Sequence, residues 1–280
     1  FETVLFNLKT QFSTACSPTN LTSSGDCYSP VNYDGKFTGP MTMRNALAQS
    51  VNVPAIKTLY LAGLSDTFEL AREMGITSLT NPDRYGLTLV LGGGEVSLLD
   101  ITSAYGVFAN DGTRHKHTPI LSITDGTGET LVDEGDRQTH TQVLANNVAR
   151  MVSDVLSDNE ARAPAFGQDS FLHFPAHDVA AKTGTTNDYR DAWIIGYTPT
   201  IAVGTWAGNN DNSPMEKRVA GFIVAPMWRE FMDWALAERE SGSFRAPDLD
   251  TDDLTVKPVL RGEWRGGISY LIDTTTGNRA

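Results

Sequence analysis

Two apolar runs bracket a short polar one at residues 179–197, and this arrangement restricts the fold more than any other stretch. Val179-Ala-Ala181 has strand character, and Lys182-Thr-Gly-Thr185 follows with no turn signal ahead of the lysine. The cation and the hydroxyls therefore belong to the strand itself. Gly184 removes a side chain where another backbone or a ligand can come close. Asn187 and Asp188 supply turn chemistry. Asp191-Ala-Trp-Ile-Ile-Gly-Tyr197 reads as a second strand and residues 200–206 as a third, so antiparallel pairing is the economical topology. A rigid strand edge with one lysine, two hydroxyls and backbone N–H groups suits an acyl substrate that carries a carboxylate.

Helical signals dominate the first half. Thr42 is placed to cap a helix from Met43 to about Gln49. Ser50-Val51-Asn52 interrupts it, and Pro54 suits the first turn of a new helix that Gly63 ends. Ser50 and Asn52 thus fall in a break between two helices. Asp66 with Glu69 reads as a capping pair for a helix stopping at Gly75. Ser97 with Asp100 opens another through Ala109, whose Leu98, Ile101, Tyr105 and Phe108 share a core face. A hairpin is expected at 119–132 around Asp125-Gly126, then an amphipathic helix at 141–156, a Pro-containing loop at 161–177, and an aromatic-rich helix at 224–238. Residues 1–12 could be extended or helical. The acidic, turn-rich stretch 241–255 has the composition of a linker, and 256–272 has some strand character. The expected organisation is one domain over 1–239 and a linker with the start of an extension over 240–280.

The formal net charge of −12 argues against nucleic-acid binding, which needs a basic face. Cys16 and Cys27 flank a polar loop, which fits either a disulfide or two unrelated thiols. The five histidines do not fall at zinc spacings around them, so no metal site is expected. His173 and His177 read as a surface pair, Glu95 as a solvated charge, and Asp191, Trp193, Tyr197 and Trp206 as strand pairing and packing. Gly92–Gly94 lacks the Lys-Ser/Thr that a phosphate loop requires.

Ser50-Val-Asn52 followed by Lys182-Thr-Gly184 is, in order and type, two thirds of the signature of penicillin-recognising serine enzymes. Longer runs agree: Tyr28-Ser-Pro-Val-Asn-Tyr-Asp-Gly-Lys-Phe37, Met43-Arg-Asn-Ala-Leu-Ala-Gln-Ser-Val-Asn-Val-Pro54, Leu91-Gly-Gly-Gly-Glu-Val-Ser97, Ala104-Tyr-Gly-Val-Phe-Ala-Asn-Asp-Gly112 and Thr205-Trp-Ala-Gly-Asn-Asn-Asp211. Over roughly residues 25–238 the chain resembles the transpeptidase domain of class A, bifunctional penicillin-binding proteins. The resemblance implies an α+β fold, a mostly antiparallel sheet with helices on both faces, incomplete at the N-terminus. It implies D,D-transpeptidation of peptidoglycan stem peptides ending in D-Ala-D-Ala, acylation by β-lactams, no cofactor, and an extracytoplasmic location with membrane attachment through an upstream anchor.

Residue by residue, the resemblance makes Ser50 the proton-relaying serine and Asn52 the group that holds the substrate's peptide amide. Lys182 sets the positive potential of the cleft and supports Ser50. Thr183 and Thr185 hold the terminal carboxylate beside Gly184, and the Thr185 N–H is half of an oxyanion hole. One element departs. The family's nucleophile is the serine of Ser-x-x-Lys, which occurs nowhere in these 280 residues. It would fall just upstream of Phe1, so the resemblance implies a piece that is inactive alone. A D,D-carboxypeptidase or β-lactamase would use water as acceptor, and no deacylating glutamate is identified. A non-catalytic wall-binding or scaffolding protein would lack Ser-x-x-Lys upstream as well.

Overall fold

A computed structural model describes residues 2–134, 140–217 and 220–248. In chain order the elements are β1 (Val4–Asn7), β2 (Gly39–Thr42), α1 (Met43–Ala48), α2 (Asn52–Ala62), α3 (Leu64–Glu73), α4 (Leu98–Ala109), β3 (Thr113–His115), β4 (Ser122–Thr124), β5 (Thr130–Asp133), β6 (His140–Gln142), α5 (Asn146–Ser157), α6 (Asn159–Phe166), β7 (Ala180–Thr185), β8 (Asp191–Tyr197), β9 (Ala202–Gly208), α7 (Ala220–Ile223) and α8 (Ala225–Ala237). The central sheet has the order β7-β8-β9, antiparallel throughout, with Lys182 opposite Ile195 and Gly184 opposite Trp193.

Strand alternation gives this sheet two unlike faces. Ala181, Ala192 and Ile194 point to one side and pack on Val224, Trp228 and Met232 of the C-terminal helices. Burying Trp228 or Ile194 contributes about 1.5–3 kcal/mol each. Gly196 is required here, because a Cβ would lie 2.3 Å from the Trp228 ring. The opposite face carries Lys182, Trp193 and Ile195. There Leu156 of α5 packs with Ala180 and Tyr197, and α4 rests on β9. Helices therefore cover both faces of a mostly antiparallel sheet.

Most expected elements are present, with shifts that have physical causes. Thr42 caps α1 by accepting the Asn45 N–H, and Ser97 caps α4 by accepting that of Asp100. Gly63, and not Asp66, precedes α3; Asp66 falls in its first turn. The helix expected from 141 starts at Asn146, because Thr141 and its neighbours pair with Thr113–His115. Residues 161–166, expected as the start of a loop, belong to α6: the Asp158 carboxylate accepts the Ala161 N–H at 2.9 Å, and this cap outweighs Pro164 inside the helix. On α4 the fully buried side chains are Ala104 and Val107; Tyr105 and Phe108 pack against Leu156, Ala180 and Tyr197 as expected of a core face, and Leu98, Ile101 and Tyr105 also line the cleft described below. Of residues 2–12, only β1 is a strand.

Cys16 and Cys27 are joined by a disulfide. Residues 241–248 form no helix or strand, yet they run back along the body. Phe244 stacks edge-on against Tyr197, Arg245 bonds Asp111, and Asn147 exchanges two hydrogen bonds with the Asp248 backbone. The strand character of 256–272 lies outside the described residues.

Candidate active site

α1 and α2 meet in a break that Ser50 shapes. Its N–H donates to the Leu47 carbonyl and that of Val51 to the Ala46 carbonyl, which closes the end of α1. Ser50 takes the left-handed conformation, φ +59°, at a position where glycine is usual. A non-glycine residue there carries strain of about 1 kcal/mol or more. The result is a hydroxyl aimed away from both helices, towards β7.

Asn52 opens α2, and its amide donates to the Val31 carbonyl at 3.0 Å. Val51 gives α2 no side-chain cap. The cap comes from Asn32, whose Oδ1 accepts the Val53 N–H at 3.1 Å while its amide holds Asn7 Oδ1. Asn32 is buried. The turn-rich run 28–37 is thus locked onto the helix that carries Asn52. Spacing alone gave no sign of this cap, since it reaches over 21 residues.

Lys182 lies on the edge strand β7. Its Nζ donates to Ser50 Oγ at 2.7 Å and to the Thr183 carbonyl at 2.9 Å. Burial lowers its pKa from the ordinary lysine value to about 8, and the positive charge of Arg162 adds to the effect. Thr183 and Thr185 lie one and three residues beyond Lys182, so their side chains point to the opposite face of the strand. The Thr185 hydroxyl accepts the N–H of Ala220 at 3.0 Å. That leaves its own proton for a further acceptor.

These groups line one cleft of about 1130 Å³ between the helices and the sheet, together with Gly92–Gly94, Tyr105, Trp193 and Trp206. Ser50, Asn52, Lys182, Thr183, Gly184 and Thr185 are all brought together there. The reading of Trp193 and Trp206 as packing needs correction. Their rings lie 6.0 Å apart on the cleft side of the sheet, and Trp206 is 37% exposed. Asp191 does more than pair: its carboxylate takes the Trp206 Nε1–H at 3.0 Å and the Thr186 hydroxyl at 2.8 Å, which fixes the turn after β7. Tyr197 is fully buried, as a packing residue should be.

At the rim, the Tyr33 hydroxyl meets that of Tyr189 at 3.3 Å, so a loop on the Asn52 side touches the β7–β8 turn. Glu95 is exposed and accepts from the Tyr85 hydroxyl. His177 contacts Ser241, and among the described residues no three His, Cys, Asp or Glu side chains cluster as metal ligands would.

Comparison with known proteins fits this geometry. Residues 7–233 match the family model of the penicillin-binding protein transpeptidase domain. Penicillin-binding protein 1A of Rickettsia bellii is 32% identical over 238 residues, covering 78% of this chain and 30% of that protein. The Aquifex aeolicus penicillin-binding protein 1A is 35% identical over 216 residues, covering 75% and 28%. The chain thus spans less than a third of these relatives.

Among solved structures, penicillin-binding protein 1A from Haemophilus influenzae superposes with a TM-score of 0.70 at 23% identity, covering 88% of this chain and 40% of that one. The PonA1 protein from Mycobacterium tuberculosis gives 0.69 at 22%, covering 81% and 64%. At those identities the structures speak to the fold. The fold and the match over most of its length together show that this chain belongs to the penicillin-binding protein transpeptidase domain family.

Proposed function

We propose that this chain forms the substrate-holding part of a peptidoglycan D,D-transpeptidase that works through a serine acyl-enzyme. The observation that carries the reading is the Lys182–Ser50 hydrogen bond, set beside Asn52 and the Thr183–Thr185 edge in one open cleft. The serine of a Ser-x-x-Lys motif, supplied from upstream of residue 1, attacks the carbonyl between the last two D-alanines of a stem peptide. A neighbouring base is needed to take its proton.

In this scheme Ser50 relays the proton to the departing D-alanine and Lys182 holds the Ser50 hydroxyl and the cleft's positive potential. Asn52 binds the peptide amide. Thr183 and Thr185 hold the terminal carboxylate across the bare backbone of Gly184. The Thr185 N–H and that of the upstream serine stabilise the tetrahedral oxyanion, where each donor is worth about a hundred- to a thousand-fold in rate. An amine of a second stem peptide then attacks the acyl-enzyme and forms the cross-link.

β-Lactams acylate the same serine; PonA1 is known in complex with penicillin V. The setting is the extracytoplasmic face of the membrane, with attachment through an upstream segment. The Cys16–Cys27 disulfide fits an oxidising compartment. Among the described residues no helix is long and apolar enough to cross a membrane. Incubating the full-length protein with a peptide ending in D-Ala-D-Ala and an amine acceptor tests the reading. Release of D-alanine with amide formation supports it. Release without amide points to hydrolysis, and no release contradicts it.

A further inference from the structure

Tyr33 and Tyr189 meet across the mouth of the cleft, and the scheme above gives neither a role. Each belongs to a wall that the site itself fixes. Tyr33 follows Val31, whose carbonyl takes the Asn52 amide at 3.0 Å, and Asn32, whose side chain caps α2 at the Val53 N–H. Tyr189 lies four residues past Thr185, in the turn that the Asp191–Thr186 bond closes, and its carbonyl accepts the Met215 N–H at 3.0 Å. Both backbones are therefore held, while the Tyr33 ring stands out at the rim, 69% exposed.

Two features set these rings apart from packing residues. Asp188 and Tyr189 are consecutive left-handed residues, φ +58° and +57°, where glycine or asparagine is the relaxed choice. The contact between the two hydroxyls is also weak. Its 3.3 Å exceeds the usual range of about 2.5–3.0 Å for an O–H···O bond, so the pair parts at little cost.

The direction of the substrate follows from the proton transfer. Ser50 serves the departing D-alanine, so the leaving end lies at the Ser50–Lys182 pair. The acyl side then runs the other way, between Asn52 and β7, past Thr185 and towards the turn. Thr185 is three residues beyond Lys182, about 10 Å of extended strand. A peptide residue spans about 3.5 Å. The residue before D-Ala-D-Ala, about two residue lengths from the departing amine, thus brings its side chain to Tyr33 and Tyr189. Asp188 and Arg190 of the same turn lie 3.9 Å apart and offset each other's charge, which suits an apolar chain.

We propose that Tyr33 and Tyr189 form the subsite for the acyl side of the donor, their rings parting to flank the apolar chain of the residue that precedes D-Ala-D-Ala. The proposal rests on the transpeptidase reading, which sets the direction of the substrate. In a penicillin the side-chain acyl group takes the same place.

The test compares two penicillins on the full-length enzyme. Benzylpenicillin carries a phenylacetyl group on the acyl side, and 6-aminopenicillanic acid has a bare amine there. The readout is the ratio of their second-order acylation rate constants, followed by intact-protein mass. Tyr33→Ala and Tyr189→Ala should each lower that ratio by about two- to tenfold, the worth of one aromatic contact. Tyr33→Phe and Tyr189→Phe keep the rings and should hold it within about twofold.

An unchanged ratio in the alanine variants would overturn the proposal. So would an equal fall in the phenylalanine variants, which would assign the effect to the hydroxyl bridge. If Tyr189→Ala does not fold, Tyr33→Ala, at an exposed position, decides alone. If neither penicillin acylates the parent enzyme, the transpeptidase reading fails and the proposal with it. A parent that is acylated, with a ratio the alanine variants do not move, faults the subsite alone.

Discussion

The Nζ of Lys182 and the Oγ of Ser50 are 2.7 Å apart, although 132 residues separate them in sequence. The contact joins an edge strand to a helix break, and no other hydrogen bond among the described residues links those two elements so directly to the cleft. Replacing Lys182 with methionine keeps the bulk of the stem and removes the donor. In the full-length enzyme the acylation rate by penicillin should fall by about a hundred- to ten-thousand-fold, the range for a positioned proton-handling group. An unchanged rate would take Lys182 out of the mechanism.

Ser50 offers a separation of stability from activity. Its φ of +59° suits glycine better than serine. Ser50→Gly should therefore leave the fold as stable or more stable by up to about 1 kcal/mol, while acylation falls for want of the hydroxyl. Chemical denaturation read beside penicillin labelling checks both halves. A loss of stability would mean that the Lys182 contact outweighs the strain.

The pH dependence of stability has a defined shape. Lys182 titrates near 8 in the folded protein against 10.5 for an ordinary lysine. Between those values the unfolded chain binds the extra proton, so stability rises with pH there. Because the side chain is half-buried, solvent screening makes the rise smaller than the full shift would give. Burial pushes the Tyr105 phenol up to about 12 and raises that of Tyr197 as well. Above pH 10 the folded state keeps protons that the unfolded chain loses, and stability falls. Lys182→Met should flatten the rise between pH 8 and 10 and leave the alkaline fall in place. Urea unfolding across that range reads both. Persistence of the rise in the variant would assign it to another group.

The Cys16–Cys27 bond closes an 11-residue separation in a loop whose ends are held by Gln11 and Tyr28. Closing a loop of that size stabilises by roughly 3 kcal/mol through the unfolded chain. Cys16→Ser with Cys27→Ser should lower unfolding free energy by about that amount, with acylation by penicillin little changed because the loop does not line the cleft. Equal stability with and without reductant would show that the bond constrains nothing.

What the sequence made legible follows from local chemistry. Thr42, Pro54 and Gly63 mark the two helices around Ser50, and the unbroken run into Lys182 puts the lysine on a strand. The contacts that hold the site were not legible, because they join distant segments. Asn32 caps α2 from a turn-rich stretch that has no periodicity. Pro164 reads as a breaker until the Asp158 cap is seen. Trp193 and Trp206 carry the same alternation whether they face a core or a cleft, so their side of the sheet had to come from the three-dimensional packing.

The most direct test labels the full-length enzyme with a fluorescent penicillin and maps the acylated residue by mass spectrometry. The account predicts one adduct, on a Ser-x-x-Lys serine upstream of residue 1, lost when labelling is competed by a peptide ending in D-Ala-D-Ala. An adduct on Ser50 or on any other residue within 1–280, or no adduct at all, would contradict it.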